Sequence, residues 1–373
     1  MKTTFQSILL GAFVLTSFNN IAASNIIGKF ADASHNGKLV YLQTLDKGKD
    51  EHINIDSTVV KNGSFKFSAL ATDTPKVRFI SLDRKYWPAL IILEKGQIEI
   101  TVDTLLKVSV KGTPLNIAYQ DCQDKNDIIN QKGRAIFLKL QDSKSKGVLT
   151  DDIYKESLKE RLNLLDAYEN NIIELIKANA QNSVGEYLLL EVGQAYIRPE
   201  KMSPLFDMLR PDFRKSERVQ IMENRSRACE RTAVGKPFSD VKGVDINGKA
   251  TALSDYVGKG SFVLLDFWAS WCGSCRERIP EIKSLYEKYK NKGLVIVGIS
   301  FDNKMDQWKR ATAEENILWP QLSDLKDRSE ASVVYGVHSI PQLMLVDKNG
   351  IIIDRDLSCD YYALGFKLSE IFR

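Results

Sequence analysis

Cys272 and Cys275 enclose two residues in the run Trp271-Cys272-Gly273-Ser274-Cys275. A C-x-x-C at a helix start is a dithiol that can close to a disulfide and reopen. Residues three apart share a helix face, so the two sulfurs can meet. From Cys275 the positions Ile279, Ile282, Tyr286 and Tyr289 follow at steps of four, three, four and three. That is one face of a 3.6-residue period, and Cys275 begins its buried stripe. Cys272 falls a turn earlier, at the N-terminal rim, where solvent and a partner reach it. Unpaired backbone N–H groups and the positive end of the helix dipole stabilise a thiolate there. Cys272 is therefore expected to be the nucleophile, with a lowered pKa, and Cys275 the thiol that resolves a mixed disulfide.

Other residues fit around this pair. Asp266 interrupts the apolar run Phe262 to Trp268. A charged carboxylate alone in a buried strand is costly, so it should be protonated or partnered. It reads as a proton acceptor for Cys275, directly or through water, with an exposed strand end as the alternative. Ile340-Pro341 introduces the apolar strand Leu343 to Val346, where a proline forfeits no ladder bond. If the bond between them is cis, Pro341 lies against the dithiol and the preceding backbone is free to pair with a substrate strand. The residues alone leave that open. Trp271 should shield the nucleophile and offer an apolar contact. His338 either faces the dithiol rim or is simply exposed.

These residues resemble the thioredoxin superfamily, through D-F-W-A-x-W-C-x-x-C at Asp266 to Cys275, Pro280 in the helix, and Ile340-Pro341. Within it the chain is most similar to the TlpA/ResA-like secreted thiol-disulfide oxidoreductases. Gly235-Lys236-Pro237-Phe238, Asp245 to Lys249 and Leu253 to Tyr256 resemble that branch's entry hairpin. The resemblance implies an attacking Cys272, a resolving Cys275, a buried acid at Asp266 and a cis-proline at Pro341; Trp271 and Ile340, by their places beside these residues, are the expected client contacts. It departs in three places. The dipeptide between the cysteines is Gly-Ser. Arg278 stands where cytochrome-maturation members carry glutamate, with the acid next door at Glu277. Gly298 stands where the superfamily has a buried lysine.

The elements that must position the dithiol read as β-α-β-α-β-β-α over residues 233–373, a thioredoxin-like α/β domain with helices on both faces of its sheet. Residues 24–112 are strand-rich, with Asn36-Gly37 and Asn62-Gly63 turn signals, and predict a small β-sandwich or barrel. This part resembles a β-rich domain of unknown function found before thioredoxin-like domains in exported proteins of the Bacteroidota. Tyr86-Trp87-Pro88 reads as core, with an exposed partner contact as the alternative. Residues 113–232 turn helical, with a stripe of Leu158, Leu162, Leu165, Ile172 and Leu175 and a last, exposed helix between Arg210 and Arg231. Lys2, the apolar stretch Ile8 to Leu15 and Ile21-Ala22-Ala23 read as a cleavable signal peptide, residues 1–23, with an uncleaved membrane anchor as the alternative, placing the protein in the periplasm or cell envelope.

A net charge of +4 over 373 residues argues for neither nucleic acid nor an acidic membrane surface. Five cysteines are too few for a disulfide-stapled scaffold, and Cys122, Cys229 and Cys359 read as buried, inert singletons, with a pairing of two of them as the alternative. One C-x-x-C with three scattered histidines does not make a zinc site, so no metal and no organic cofactor is expected. The expected partners are exported proteins bearing disulfides or thiols, together with a membrane electron donor. The function this implies is electron exchange with those disulfides, as a reductant. A partner-binding protein with a vestigial or structural dithiol is the alternative class.

Overall fold

A computed structural model describes residues 23–46, 51–71, 74–83, 89–327, 329–355, 357 and 361–373. The signal peptide apart from Ala23, the Tyr86-Trp87-Pro88 run and Cys359 lie outside the described residues. The chain divides after Asp121 into two compact units.

The first unit is a sandwich of two four-stranded sheets. Its strands are β1 (Ala23–Phe30), β2 (Leu39–Asp46), β3 (Glu51–Val59), β4 (Ser64–Ala71), β5 (Lys76–Leu82), β6 (Ala89–Leu93), β7 (Gly96–Val102) and β8 (Val108–Lys111). They order as β4-β1-β7-β8 and β3-β2-β5-β6. In β7, Ile98, Ile100 and Val102 point inward while Glu99 and Thr101 point out, the alternation of a strand with one wet face. The inward residues of both sheets, among them Ile26, Leu42, Phe65, Ile91 and Ile98, share one core. Strand β1 gave no sequence signal because two of its buried positions, Ser24 and Gly28, are not hydrophobic. The Phe65 ring fills the space over Gly28, 2.0 Å from where a Cβ would stand.

The second unit carries the helices and the α/β domain. The helix Asp151–Asn179 is capped by Thr150, whose side chain accepts the Ile153 N–H. Its buried face runs through Tyr154, Ser157, Glu169, Ile172 and Ile176, and Leu162 and Leu165 are exposed. The expected stripe thus fails at two of its five positions, and Tyr154, which packs on Phe366 with ring centroids 4.8 Å apart, takes part in the buried face instead. The helix Glu217–Arg231 is not an exposed one either. It buries Val219, Met222, Ala228 and Cys229, and the Arg225 guanidinium donates to the Gly336 carbonyl at 3.4 Å.

The α/β domain opens with the hairpin β9 (Lys242–Val244) and β10 (Ala250–Ala252). Its five-stranded sheet comprises β11 (Phe262–Trp268), β12 (Leu294–Ser300), β13 (Gln321–Leu322), β14 (Gln342–Val346) and β15 (Ile352–Asp354), ordered β13-β12-β11-β14-β15. The central β11 runs parallel to β12 and antiparallel to β14. Being covered on both faces, it reads as a nearly continuous apolar run. Leu264 and Trp268 enter one core, Val263, Leu265 and Phe267 the other. The helix Gly273–Tyr289 covers the first face, and Gly293, at φ 100°, closes the short turn that follows it. This is the architecture expected for the C-terminal part, a thioredoxin fold preceded by a β-rich domain and helices.

Candidate active site

Strand β11 ends at Trp268, and four residues later the chain enters the covering helix with Cys272 as its N-cap. The backbone N–H of Cys275 donates to the Cys272 sulfur at 3.2 Å, so the sulfur takes the place of a capping side-chain oxygen. The Ser274 hydroxyl is 3.5 Å from the same atom. Cys272 and Cys275 are joined, with an S–S distance of 2.04 Å. Cys275 is 2% exposed and begins the buried stripe as its spacing requires. Cys272 lies at the rim, yet it is only 6% exposed, against the expectation of an open thiol. Its sulfur lies over the first helical turn, 3.8 Å from the Ile340 carbonyl oxygen.

The Ile340–Pro341 peptide is cis. It precedes β14, and the Ile340 carbonyl is the chain's approach to Cys272. Trp271 is 66% exposed beside the dithiol. His338 is also exposed, and no hydrogen bond joins it to the dithiol among the described residues.

Asp266 is 3% exposed, so the strand-end alternative fails. Side chains alternate along a strand, which puts Asp266 with Leu264 and Trp268 on the face beneath the helix. Burial pushes its carboxyl up to about 7, and the positive charge of Arg278 pulls part of that rise back. Arg278 is itself 3% exposed, three residues past Cys275 on the same helix face. Its guanidinium reaches the Leu357 carbonyl at 3.4 Å and Glu281 at 3.5 Å. A basic residue is not expected in a core, yet the spacing of Arg278 from Cys275 puts it on the inner stripe and is the signal of its burial.

Two further polar residues had no sequence signal of their own. Asp302, 1% exposed, accepts from the Ser270 backbone N–H at 2.9 Å, from the Ser270 hydroxyl, and from the Ser300 hydroxyl at 2.7 Å. It thereby holds the loop that carries Trp271 and Cys272. Gln321, 4% exposed, accepts the Trp268 indole N–H at 2.9 Å. Among the described residues no group of three or more His, Cys, Asp or Glu is placed to hold a metal. The arrangement suits thiol-disulfide exchange: a capping sulfur, a second sulfur beneath it, and a buried carboxyl whose proton comes off near neutrality.

Residues 234–355 match the profile of the AhpC/TSA family, and residues 24–119 match a domain of unknown function (DUF4369). The thiol-disulfide oxidoreductase ResA of Bacillus thuringiensis subsp. konkukian is 33% identical over 124 residues, which is 33% of this chain and 69% of that protein. The thioredoxin-like protein YneN of Bacillus subtilis is 32% identical over 123 residues, 32% of this chain and 69% of that protein. Among solved structures, a thiol-disulfide oxidoreductase from Bacteroides fragilis is 30% identical. The alignment covers 36% of this chain and 99% of that one, with a TM-score of 0.34. By the ResA match the chain belongs to the thiol-disulfide oxidoreductases of the thioredoxin superfamily and is a protein-disulfide oxidoreductase.

Proposed function

We propose that this enzyme reduces disulfides of exported proteins in the periplasm or cell envelope, fed with electrons by a membrane donor. The observation that carries the reading is the place of Cys272. As the N-cap of the Gly273–Tyr289 helix, it accepts a backbone N–H at the positive end of the helix dipole. In the reduced enzyme Cys272 is the thiolate. It attacks one sulfur of a client disulfide, forming a mixed disulfide and releasing the first client thiolate. Cys275 gives its proton to Asp266 and attacks the Cys272 sulfur. The bond between enzyme and client breaks, and the second client thiolate leaves and takes up a proton. Two electrons have passed from the dithiol to the client, and the enzyme is left with the Cys272–Cys275 disulfide. Pro341 and the backbone of Ile340 border the site of attack, and Trp271 supplies the exposed apolar contact for the client.

The proposed division of labour is a signal peptide over residues 1–23, a β domain over 24–112 that docks a partner or anchors the enzyme in an assembly, a helical spacer over 113–232 and the redox domain over 233–373. Equilibration with a glutathione or dithiothreitol couple gives the direction, since a reductant must have the lower potential. Insulin reduction by wild type and Cys272→Ser tests the nucleophile: activity retained in the variant rules the assignment out. Cys275→Ser should stall the mixed disulfide, so that mass spectrometry of the trapped species names the clients.

A further inference from the structure

One row of side chains crosses the sheet beneath the active-site helix. In register it reads Leu343 on β14, Asp266 on β11, Gly298 on β12 and Gln321 on β13. Gly298 has no side chain, and the Gln321 amide lies over it. A Cβ built on Gly298 would be 2.4 Å from both the amide nitrogen and the amide oxygen. Adjacent strands are about 4.8 Å apart, so that point is also about 5 Å from the Asp266 Cβ. The amide of a residue two strands away is thereby brought over the strand position next to Asp266, without a hydrogen bond to it, and only a glycine at 298 permits that place.

The amide's orientation is fixed. Its oxygen accepts the Trp268 indole N–H at 2.9 Å, and Trp268 shares the Asp266 face of β11. The amide nitrogen is left with two donors, buried and with no hydrogen-bond partner among the described residues. A buried amide donor without a partner is costly, which calls for an explanation in the working cycle. The charged group that acts on Asp266 among the described residues is Arg278, contributed by the active-site helix that also carries the cysteine pair. The flanking strand positions, Gly298 and Leu343, bring none.

We propose that Gln321 is a positioning residue for the resolving step, its amide N–H₂ stabilising the Asp266 carboxylate that forms when Asp266 takes the Cys275 proton. This rests on the role proposed above for Asp266. In that step the Cys275 S–H bond breaks and its proton passes to Asp266. The Cys275 sulfur bonds to the Cys272 sulfur, and the electron pair of the mixed disulfide leaves with the client sulfur. The Gln321 amide exchanges no proton and no electron. It lowers the cost of the carboxylate from which the cycle starts and to which it must return.

The test uses the full chain, reduced, with 5,5′-dithiobis(2-nitrobenzoate) as probe. Attack by Cys272 releases the first thionitrobenzoate, and attack by Cys275 releases the second. The rate of second release is followed against pH for wild type, Gln321→Met, Gln321→Glu, Asp266→Asn and the Asp266→Asn/Gln321→Met double variant. Wild type should show a rise in rate as Asp266 loses its proton. Gln321→Met should move that rise about one pH unit to the alkaline side, a tenfold loss of rate at its foot. Gln321→Glu keeps an acceptor for Trp268 while replacing the donor by a second acid, and should move it at least as far. In the Asp266→Asn background Gln321→Met should change the rate less than about twofold. Two results overturn the proposal. If Asp266→Asn removes the rise but neither Gln321 variant moves it, Gln321 only fills space, and Asp266 keeps its role. If Asp266→Asn leaves the rise in place, the role of Asp266 fails and that of Gln321 with it.

Discussion

Asp302 grips Ser270 twice, through its backbone N–H at 2.9 Å and through its hydroxyl, two residues before Cys272. The Ser300 hydroxyl, 2.7 Å from the same carboxylate, fixes Asp302 in turn. The redox loop is therefore tied to the end of β12 by a buried carboxylate. Asp302→Ala leaves the Ser270 N–H and two hydroxyls without their acceptor, at a cost of about 1–3 kcal/mol per unmade bond to the charged group. We expect a lower midpoint in urea, and slower iodoacetamide alkylation of reduced Cys272 near neutral pH as its cap geometry loosens and its thiolate is less stabilised. Alkylation kinetics matching wild type would show that the loop holds its shape without this tie.

Asp266 sets a stability window. Unfolded, its carboxyl titrates near 3.8; folded, burial lifts it to about 7. Between those values the folded chain holds a proton that the unfolded chain has lost. Its contribution to stability is therefore complete below the lower value, falls as pH rises through the window, and levels off above the upper one. The loss is on the order of 4 kcal/mol at most. Asp266→Asn removes the titration. Denaturant unfolding of the oxidised enzyme should show the variant gaining on wild type between about pH 4 and about pH 8. A difference that does not change with pH would mean that Asp266 is not buried as an acid.

Arg278 opposes that rise, because its positive charge favours the Asp266 carboxylate. Arg278→Met removes the charge and keeps much of the apolar stem. Asp266 should then lose its proton at higher pH, seen by ¹³C NMR of the labelled carboxyl, and Arg278→Lys should return it part of the way. An unmoved titration in Arg278→Met would place the guanidinium outside the electrostatics of the site.

The dithiol, its helix and the strand before it were legible because each obeys a local rule: a spacing, a 3.6-residue period, an apolar run. The cis peptide at Pro341 came only through the family resemblance, and Asp266 through being a lone acid in that run. Asp302 and Gln321 were not legible. Each is a single polar residue whose meaning arises only when strand order sets it beside Ser270 or across Gly298. Strand β1 was lost for a related reason, since Gly28 is buried by a ring, Phe65, that comes from another strand. The face of the helix Asp151–Asn179 was misread because counting leucines from Leu158 ignored Tyr154 and Glu169, both at most 1% exposed.

Gly336 closes the helix Glu330–Tyr335 at φ 65°, a conformation glycine adopts without strain. It also lets the helix Glu217–Arg231 come close. A Cβ at 336 would stand 2.6 Å from the Cys229 sulfur and 2.9 Å from the Arg225 carbonyl oxygen. Arg355 braces the same junction, donating to the Cys229 sulfur at 3.2 Å and to the Thr232 carbonyl at 2.9 Å. Gly336→Ala should therefore destabilise the second unit by more than the ~1 kcal/mol of the backbone conformation alone. Cys229→Ala removes the sulfur but leaves the Arg225 carbonyl in place. In the double variant, calorimetry should recover only part of the lost melting temperature. Full recovery would show that the thiol alone sets the spacing, and no loss in Gly336→Ala would show that the two helices are free to separate.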